Sequence, residues 1–405
     1  MTTKVQPYQS CTESNRIQSV QLFRTMKWYL RAGGFYVGTD LTGRRSRCRN
    51  ILMVLYCVFC TASAIFGATK FLLTYLSNMK STRNSITSAA YLTFYIETAC
   101  LMLSLTFIVD GRFKRFEELL FRRICQTTDL REYYSKLRKT SYVVITVLCV
   151  IHFGCQAWLL LTSNHLDAPF DVPAGPFSII LMAVISVVTI FGTFGFYTMI
   201  AVYNIVSFCL YKEFQFFSRK FKELYQGKTD LFEATFQELW DENLSLSELQ
   251  QSADMFMKPF VTLTYLSTIP IICCMVFGLT RGHLGMEELF YVAGIFCLSL
   301  CQFCNVTLIA VMISEKAHEP VQHIFGSKWS SLSEGTLQKV SLFVARLSSE
   351  KIGYTACGLF TIDKSALLML GGTVLTYVVV VLQVQPDSDA GCLTPGSFNL
   401  THLCP

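Results

Sequence analysis

Seven apolar runs, each long enough to cross a membrane as a helix, constrain this chain more than any other feature. A helix needs about 20 apolar residues to span roughly 30 Å of hydrocarbon. The runs cover residues 51–73, 86–109, 141–161, 177–210, 261–279, 289–313 and 366–383. A transmembrane β-barrel would show short alternating segments instead. The pattern predicts an all-α polytopic membrane protein with seven transmembrane helices, which we number as spans 1 to 7.

The composition points the same way. Apolar and aromatic residues make up 52% of the chain, and only 15% of the residues are charged. A soluble protein carries roughly 25% charged residues, so most soluble enzymes and nucleic-acid binders are excluded. Cys297, Cys301 and Cys304 share a helix face, but no histidine or acid converges there, so packing is the expected role. We expect no enzyme activity, no cofactor, no metal ion and no nucleic-acid partner.

Basic residues are distributed unevenly between the two sides of the membrane. Of the 34 lysines and arginines, 30 lie in the N-terminal segment and in the segments after spans 2, 4 and 6. Positive residues are retained in the cytoplasm, so we expect a cytoplasmic N-terminus and an extracellular C-terminus. A G-protein-coupled receptor has the opposite orientation. The Asn-Pro-x-x-Tyr and Asp-Arg-Tyr motifs of those receptors are also absent from the sequence.

The cytoplasmic segment between spans 4 and 5 has a helical pattern. Its apolar residues recur every three or four positions, at Phe214, Phe217, Phe221, Leu224, Phe232, Phe236, Leu239 and Leu246. This spacing predicts amphipathic helices over about residues 211–258 that extend spans 4 and 5 into the cytoplasm.

The C-terminal tail carries the features expected of an extracellular segment. Asn399 begins an Asn-Leu-Thr glycosylation acceptor. Cys392 and Cys404 also lie in this tail. The sequence does not decide between a disulfide that joins these two cysteines and a pair of free thiols.

The segment before and within span 7 carries a specific motif. Gly-Leu-Phe at 358–360 precedes Asp363, and Thr376 and Tyr377 are followed by five apolar residues and then Gln383. This segment closely resembles the signature of arthropod gustatory receptors. That family usually has Phe after the glutamine, where this chain has Val384.

The resemblance implies a taste receptor of the sensory-neuron plasma membrane that is itself a ligand-gated, nonselective cation channel. Members of the family look like homo- or heterotetramers, in which four copies of span 7 line one pore. Each subunit would hold a pocket for a small tastant, such as a sugar or a bitter compound, and would contact membrane lipid. On this basis the chain divides into a cytoplasmic segment (1–50), a six-helix bundle (51–313), an anchor segment (314–365), the pore helix (366–385) and an extracellular tail (386–405).

Polar residues at membrane depth are costly enough to suggest a ligand pocket. The candidates are Tyr91, Tyr95, Glu97, Thr98, His152, Gln156, Trp158, Thr189, Thr193, Tyr291 and Gln302. For each one taken singly, hydrogen bonding between helices is the alternative role. Glu97 and His152 lie at similar depth on antiparallel helices, so they could contact each other or share a ligand. A protonated Glu97 bonded to a neighbouring backbone or hydroxyl group is an equal alternative.

One face of span 7 carries its hydroxyl and amide groups. Residues on this face recur every three or four positions, at Thr373, Thr376, Val380, Gln383 and Asp387. Four copies around one axis would line a pore with this face. The resemblance places Gln383 at the narrow outer part, with Val380 and Val384 as an apolar gate. The alternative is that Gln383 bonds a neighbouring helix. A transporter and a metabotropic receptor remain alternative functions.

Overall fold

The computed structural model describes residues 13–35, 47–77, 82–106, 108–126, 176–226, 229–281, 286–325 and 332–383, with short helical pieces between 136 and 154. Within these residues there are nine continuous helices and one two-stranded sheet. The helices are α1 Glu13–Ala32, α2 Arg47–Ser77, α3 Thr82–Leu105, α4 Val109–Gln126, α5 Pro176–Gln226, α6 Thr229–Arg281, α7 Met286–Phe325, α8 Glu334–Ser349 and α9 Lys364–Gln383. The strands are β1 Thr355–Ala356 and β2 Phe360–Thr361, which pair antiparallel.

Six of the seven predicted spans coincide with helices, namely α2, α3, α5, α6, α7 and α9. Four of these contain stretches long and apolar enough to cross a membrane: Asn50–Lys70, Phe194–Leu224, Phe232–Val276 and Phe296–Ile324. Shorter apolar stretches occupy Leu92–Leu105 and Lys364–Val380. The prediction of an all-α, multi-pass membrane protein is confirmed. Span 3 lies mostly outside the described residues.

Helices α5 and α6 are much longer than a bilayer requires. They contain 51 and 53 residues, or about 75 to 80 Å at 1.5 Å per residue. Both continue through the segment whose amphipathic spacing predicted helical extensions. That these extensions lie in the cytoplasm stays a prediction. Because the hydrocarbon layer is roughly 30 Å thick, these helices must project well beyond it.

An aromatic cluster joins the projecting helices to α8. The ring of Phe343 on α8 stacks on Phe221 of α5, with centroids 5.8 Å apart. Phe236 and Trp240 of α6 contact the same ring at 5.8 and 5.5 Å. Aromatic pairs add about 0.5–1.5 kcal/mol each to the burial of their area. Helix α8, which lies within the segment 314–365 before span 7, is therefore fixed to both long helices.

Helix α1 was not predicted, because the first 50 residues were treated as a polar, basic segment. Its apolar residues at helical spacing are buried: Leu22, Phe23, Met26, Tyr29 and Leu30. The helix packs against α4 and α5. Lys27 donates to Glu117 Oε1 of α4 at 2.7 Å, and the two side chains are only 10% and 8% exposed. Residues 13–35 are thus part of the folded core.

A second group of buried charges joins α4, α5 and α6. Arg123 Nε lies 3.2 Å from Glu213 Oε2, and its Nη2 lies 3.1 Å from Glu242 Oε1. Lys220 reaches the other oxygen of Glu242 at 2.8 Å. Glu213 is completely buried and Arg123 is 6% exposed. Because an unpaired charge at such a site is very unfavourable, this network fixes how the three helices meet.

Helix α6 also carries polar side chains whose burial contributes little to the stability of the fold. Asn243, Ser247 and Gln250 share one face of the helix, and their side-chain atoms have no hydrogen-bond partner within the described part of the chain. Asn243 is completely buried. An unsatisfied buried polar group costs about 1–3 kcal/mol.

We therefore expect Asn243→Leu, which replaces an amide with an apolar side chain of similar size, to stabilise the protein. The midpoint of thermal unfolding in detergent should rise by about 1–3 °C. Gln237→Leu is the matched control, since Gln237 is exposed on the same helix. A fall in the midpoint for Asn243→Leu would show that the amide is hydrogen-bonded and would contradict this account.

Candidate functional site

A cluster of polar side chains lies between α3, α6 and α7, inside the segments assigned to the membrane. Ser267 Oγ of α6 donates to Glu97 Oε2 of α3 at 2.6 Å. Gln302 Nε2 of α7 lies 3.5 Å from Thr264 Oγ1 of α6. Glu97 is 4% exposed, and its Oε1 has no hydrogen-bond partner among the described residues. The polar neighbours of this acid among the described residues are thus hydroxyl groups of α6.

The contact made by Glu97 includes the hydroxyl partner named in one of the two alternatives, and the protonation of Glu97 stays a prediction. A hydroxyl group, Ser267 Oγ, bonds one of its carboxyl oxygens. His152, the other predicted partner, lies outside the described residues. Pairing of Glu97 with His152 stays a prediction.

Two further candidates on α3 make contacts that are typical of helix packing. The ring of Tyr95 lies against Gly67 of α2, where an added Cβ would be 2.4 Å from a ring carbon. Only glycine permits this approach of α2 to α3. Thr98 is fully buried, and its hydroxyl donates to the Phe94 carbonyl of its own helix at 3.0 Å.

The remaining pocket candidates are not placed by the structure. His152, Gln156 and Trp158 lie outside the described residues. The side chains of Tyr91, Thr189, Thr193 and Tyr291 lie outside them as well. Their role as ligand contacts stays a prediction.

The sequence did not single out the hydroxyl groups of α6. Thr264 and Ser267 complete the cluster around Glu97 and Gln302. Tyr265, between them, points to α7, where its hydroxyl lies 2.7 Å from Thr307 Oγ1. Because Thr307 donates its own proton to a backbone carbonyl, Tyr265 is the donor in this pair. The signal was present as hydroxyl residues at helical spacing in span 5, although such residues often bond only their own helix.

We expect Ser267→Ala to destabilise the fold by about 1–3 kcal/mol, because the buried carboxyl of Glu97 would lose the hydrogen bond from the Ser267 hydroxyl. Glu97→Met combined with Ser267→Ala should recover most of that loss, since both polar partners are removed. Thermal unfolding of the purified variants measures the coupling. Additive effects within about 0.5 kcal/mol would contradict a direct interaction. Thr69→Ala is the control, since its exposed hydroxyl bonds only its own helix.

Helix α9 differs from the other apolar helices in how little of it is covered. Among its described side chains only Ala366 and Leu370 are buried, on the side that contacts α6 and α7. Its exposed side chains include Leu368, Leu375, Thr376, Tyr377, Val380 and Gln383, and Thr373 is half-buried. The predicted polar face is thus helical and uncovered in the single chain, whereas Val384 and Asp387 lie outside the described residues. The tail residues Cys392, Cys404 and Asn399 also lie outside them.

The start of α9 is fixed by its first side chains. Asp363 Oδ1 accepts a bond from the Ala366 N–H at 2.8 Å and another from Ser365 Oγ at 2.7 Å. The Ala366 N–H lowers the pKa of the Asp363 carboxyl, with smaller contributions from Ser365 and Lys351. Such a cap is worth about 1 kcal/mol. Lys364 forms an ion pair with Glu315 of α7, so the helix is tied to its neighbour where it begins.

The comparisons with known proteins agree with this geometry. The sequence model of the 7tm chemosensory receptor family matches residues 23–387. The solved structure of the insect olfactory receptor OR5 from Machilis hrabei in complex with eugenol has a TM-score of 0.68 at 12% identity, covering 92% of this chain and all of that one. A second structure of that receptor has a TM-score of 0.65 at 13% identity, with coverage of 91% and 99%. No curated protein sequence gave a match. At such identities the structural likeness shows the fold alone.

Proposed function

Because this chain belongs to the 7tm chemosensory receptor family, we propose that it is a taste receptor that opens a nonselective cation pore when a small tastant binds. A multi-pass membrane receptor of this family is not an enzyme. The pore, the tastant and the tetramer are parts of the proposal.

The observation that carries the proposal is the uncovered polar face of α9. Thr376 and Gln383 are exposed on a helix that is otherwise strongly apolar. The Thr376 hydroxyl donates to the Gly372 carbonyl of its own helix at 2.8 Å, but in a lone chain the Gln383 amide would face lipid, where a polar side chain is unfavourable. Four copies of α9 around one axis would instead turn them toward water, and four amide oxygens could replace part of a cation's hydration shell. The Thr-Tyr and Gln of the gustatory signature lie on this same helix.

The projecting helices suit the role of an anchor between subunits. Helices α5, α6 and α8 form one aromatic cluster around Phe343. About 100° around α8 from Phe343, Leu342 is 61% exposed. We propose that the segment 314–365 and the extensions of α5 and α6 form this anchor, below the bundle of residues 51–313.

We further propose that the tastant binds within the bundle near Glu97. Its unbonded carboxyl oxygen would accept a hydrogen bond from a hydroxyl or amine group of the ligand. The olfactory receptor of similar fold was solved with eugenol, a small molecule. Aromatic neighbours, such as Phe94 and Phe196 with ring centroids 5.2 Å apart, would suit an apolar or ring-shaped ligand.

The orientation of the chain is proposed from its basic residues. A tag after Pro405 should be removed by protease added outside intact cells, whereas a tag before Met1 should be protected. An N-terminal tag that is accessible from outside would favour a metabotropic receptor instead. Protection of the C-terminal tag would overturn the proposed orientation.

The test of function is calcium imaging of cells that express the chain, with a panel of sugars, bitter compounds and carbon dioxide. A ligand-evoked signal that requires external calcium, and that changes with Gln383→Ala, would support the proposal. Cells that express Val379→Ala serve as the matched control, since Val379 lies on a different face of α9. Saturable substrate flux without unitary currents would indicate a transporter.

A further inference from the structure

The β1–β2 hairpin lies directly before α9. Strand β2 ends at Thr361, and α9 begins at Lys364. The Ile362 N–H donates to the Tyr354 carbonyl at 2.9 Å and closes the hairpin. With only two residues between strand and helix, the hairpin and the base of α9 have to move together.

Helix α6 holds the hairpin through three hydrogen bonds. Asp254 accepts from the Thr355 N–H at 2.7 Å and from Thr355 Oγ1 at 2.8 Å. Two turns along the helix, Thr262 Oγ1 accepts from the Cys357 N–H at 2.7 Å. Cys357 has a φ of 55°, which is rare for a residue with a side chain. The bond to Thr262 thus holds a strained turn in place.

The carboxyl of Asp254 is half-buried where it accepts the two hydrogen bonds from Thr355. Burial raises its pKa, and the bonds from Thr355 and the charge of Lys258 act in the opposite direction. Hydrogen bonds to a carboxyl in such a partly buried site are worth more than surface contacts.

The residue directly before the hairpin contacts a different helix, α5. Tyr354, directly before β1, is fully buried and accepts a bond from Ser207 Oγ of α5 at 2.9 Å. Its ring lies 5.3 Å from that of Tyr203, whose hydroxyl donates to the Val306 carbonyl of α7 at 2.8 Å. The start of the hairpin is therefore joined to α5 directly and to α7 through Tyr203.

The polar cluster in the membrane includes residues of the same helix α6. Ser267, which bonds Glu97, is 13 residues from Asp254, or about 20 Å along a helix. Between them, the ring of Tyr265 packs edge-on against Phe360 of β2, with centroids 6.3 Å apart. The same helix thus contacts Glu97 through Ser267 and both strands of the hairpin through Asp254 and Tyr265.

From these contacts we propose that the hairpin couples α6 to the pore helix, and that Asp254 is the positioning residue that makes the coupling rigid. Movement of α6 relative to α5 and α7 displaces the hairpin and with it the base of α9. The inference rests on the proposed channel function, and it adds the path by which occupancy of the bundle reaches the pore.

The test uses the full chain in lipid nanodiscs and the variants Asp254→Asn, Thr355→Val and Thr262→Val. Hydrogen–deuterium exchange without ligand should become faster in residues 364–370, while exchange in α5 and α7 stays unchanged. Thr355→Ser keeps the hydroxyl and should restore the wild-type exchange. Ser341→Ala is the matched control, since that hydroxyl bonds only its own helix α8. Unchanged exchange at the base of α9 in all three variants overturns the inference.

A second measurement reports on gating. The recordings use a Val380→Ala background, in which spontaneous cation currents are expected. Adding Thr355→Val should change the fraction of time that the pore is open about tenfold, whereas adding Ser341→Ala should leave it unchanged. Currents that are present but unaffected by Thr355→Val overturn the coupling while leaving the channel function intact. Absence of cation current in every variant, with normal expression, overturns the proposed function itself and the inference with it.

Discussion

Val380→Ala is expected to raise the cation current that flows without ligand by about tenfold. Four valine side chains facing one axis would exclude water from the closed pore, and the variant removes two methyl groups from each. Each buried CH₂ contributes about 0.8 kcal/mol to the stability of the closed state. Because a minor open state is typically populated at 0.1–10%, losing part of this stabilisation is enough to raise its population about tenfold. Whole-cell recording at matched surface expression measures the effect.

Val379→Ala is the control for this experiment. Val379 and Val380 are similarly exposed, at 40% and 46%, but they lie about 100° apart around the helix. An equal leak in both variants would mean that α9 is merely loosened. No leak in Val380→Ala would remove Val380 from the gate.

Arg123→Met should destabilise the protein by about 3–5 kcal/mol, because Glu213 is completely buried and would lose the cation beside it. The second partner, Glu242, is also mostly buried. Chemical unfolding in detergent, or the fraction of protein that reaches the cell surface, measures the loss.

Arg122→Met controls for the loss of one arginine, since Arg122 is adjacent in sequence but exposed. The double variant Arg123→Met with Glu213→Gln should recover part of the stability, because it removes the buried charge as well. A single variant as stable as the wild type would show that the network contributes no stability.

Local patterns were sufficient to predict the six helices that coincide with spans, and to predict which residues share a face of α9. The recurrence of Thr373, Thr376, Val380 and Gln383 depends only on the geometry of one helix. The extensions of α5 and α6 were likewise predicted from their phenylalanines. Helix α1 had the same kind of signal at Leu22, Met26 and Tyr29, but its basic residues obscured it.

Contacts between distant segments could not be predicted in the same way. Asp254 and Thr355 are 101 residues apart, and Glu97 and Ser267 are 170 apart. The sequence marked Glu97 because an acid in the membrane is rare. It could not mark Ser267, since a serine in a helix commonly bonds its own backbone and nothing local shows which helix it faces.

The central claim is that this chain itself forms a cation pore lined by α9. The most direct measurement is the recording of unitary currents from purified Val380→Ala protein in planar bilayers that contain no G protein or nucleotide. We predict unitary cation currents whose relative permeability to Na⁺, K⁺ and Ca²⁺ changes when Gln383→Ala is added and stays the same when Val379→Ala is added instead. An absence of unitary currents, or a permeability that Gln383→Ala leaves unchanged, would contradict the account.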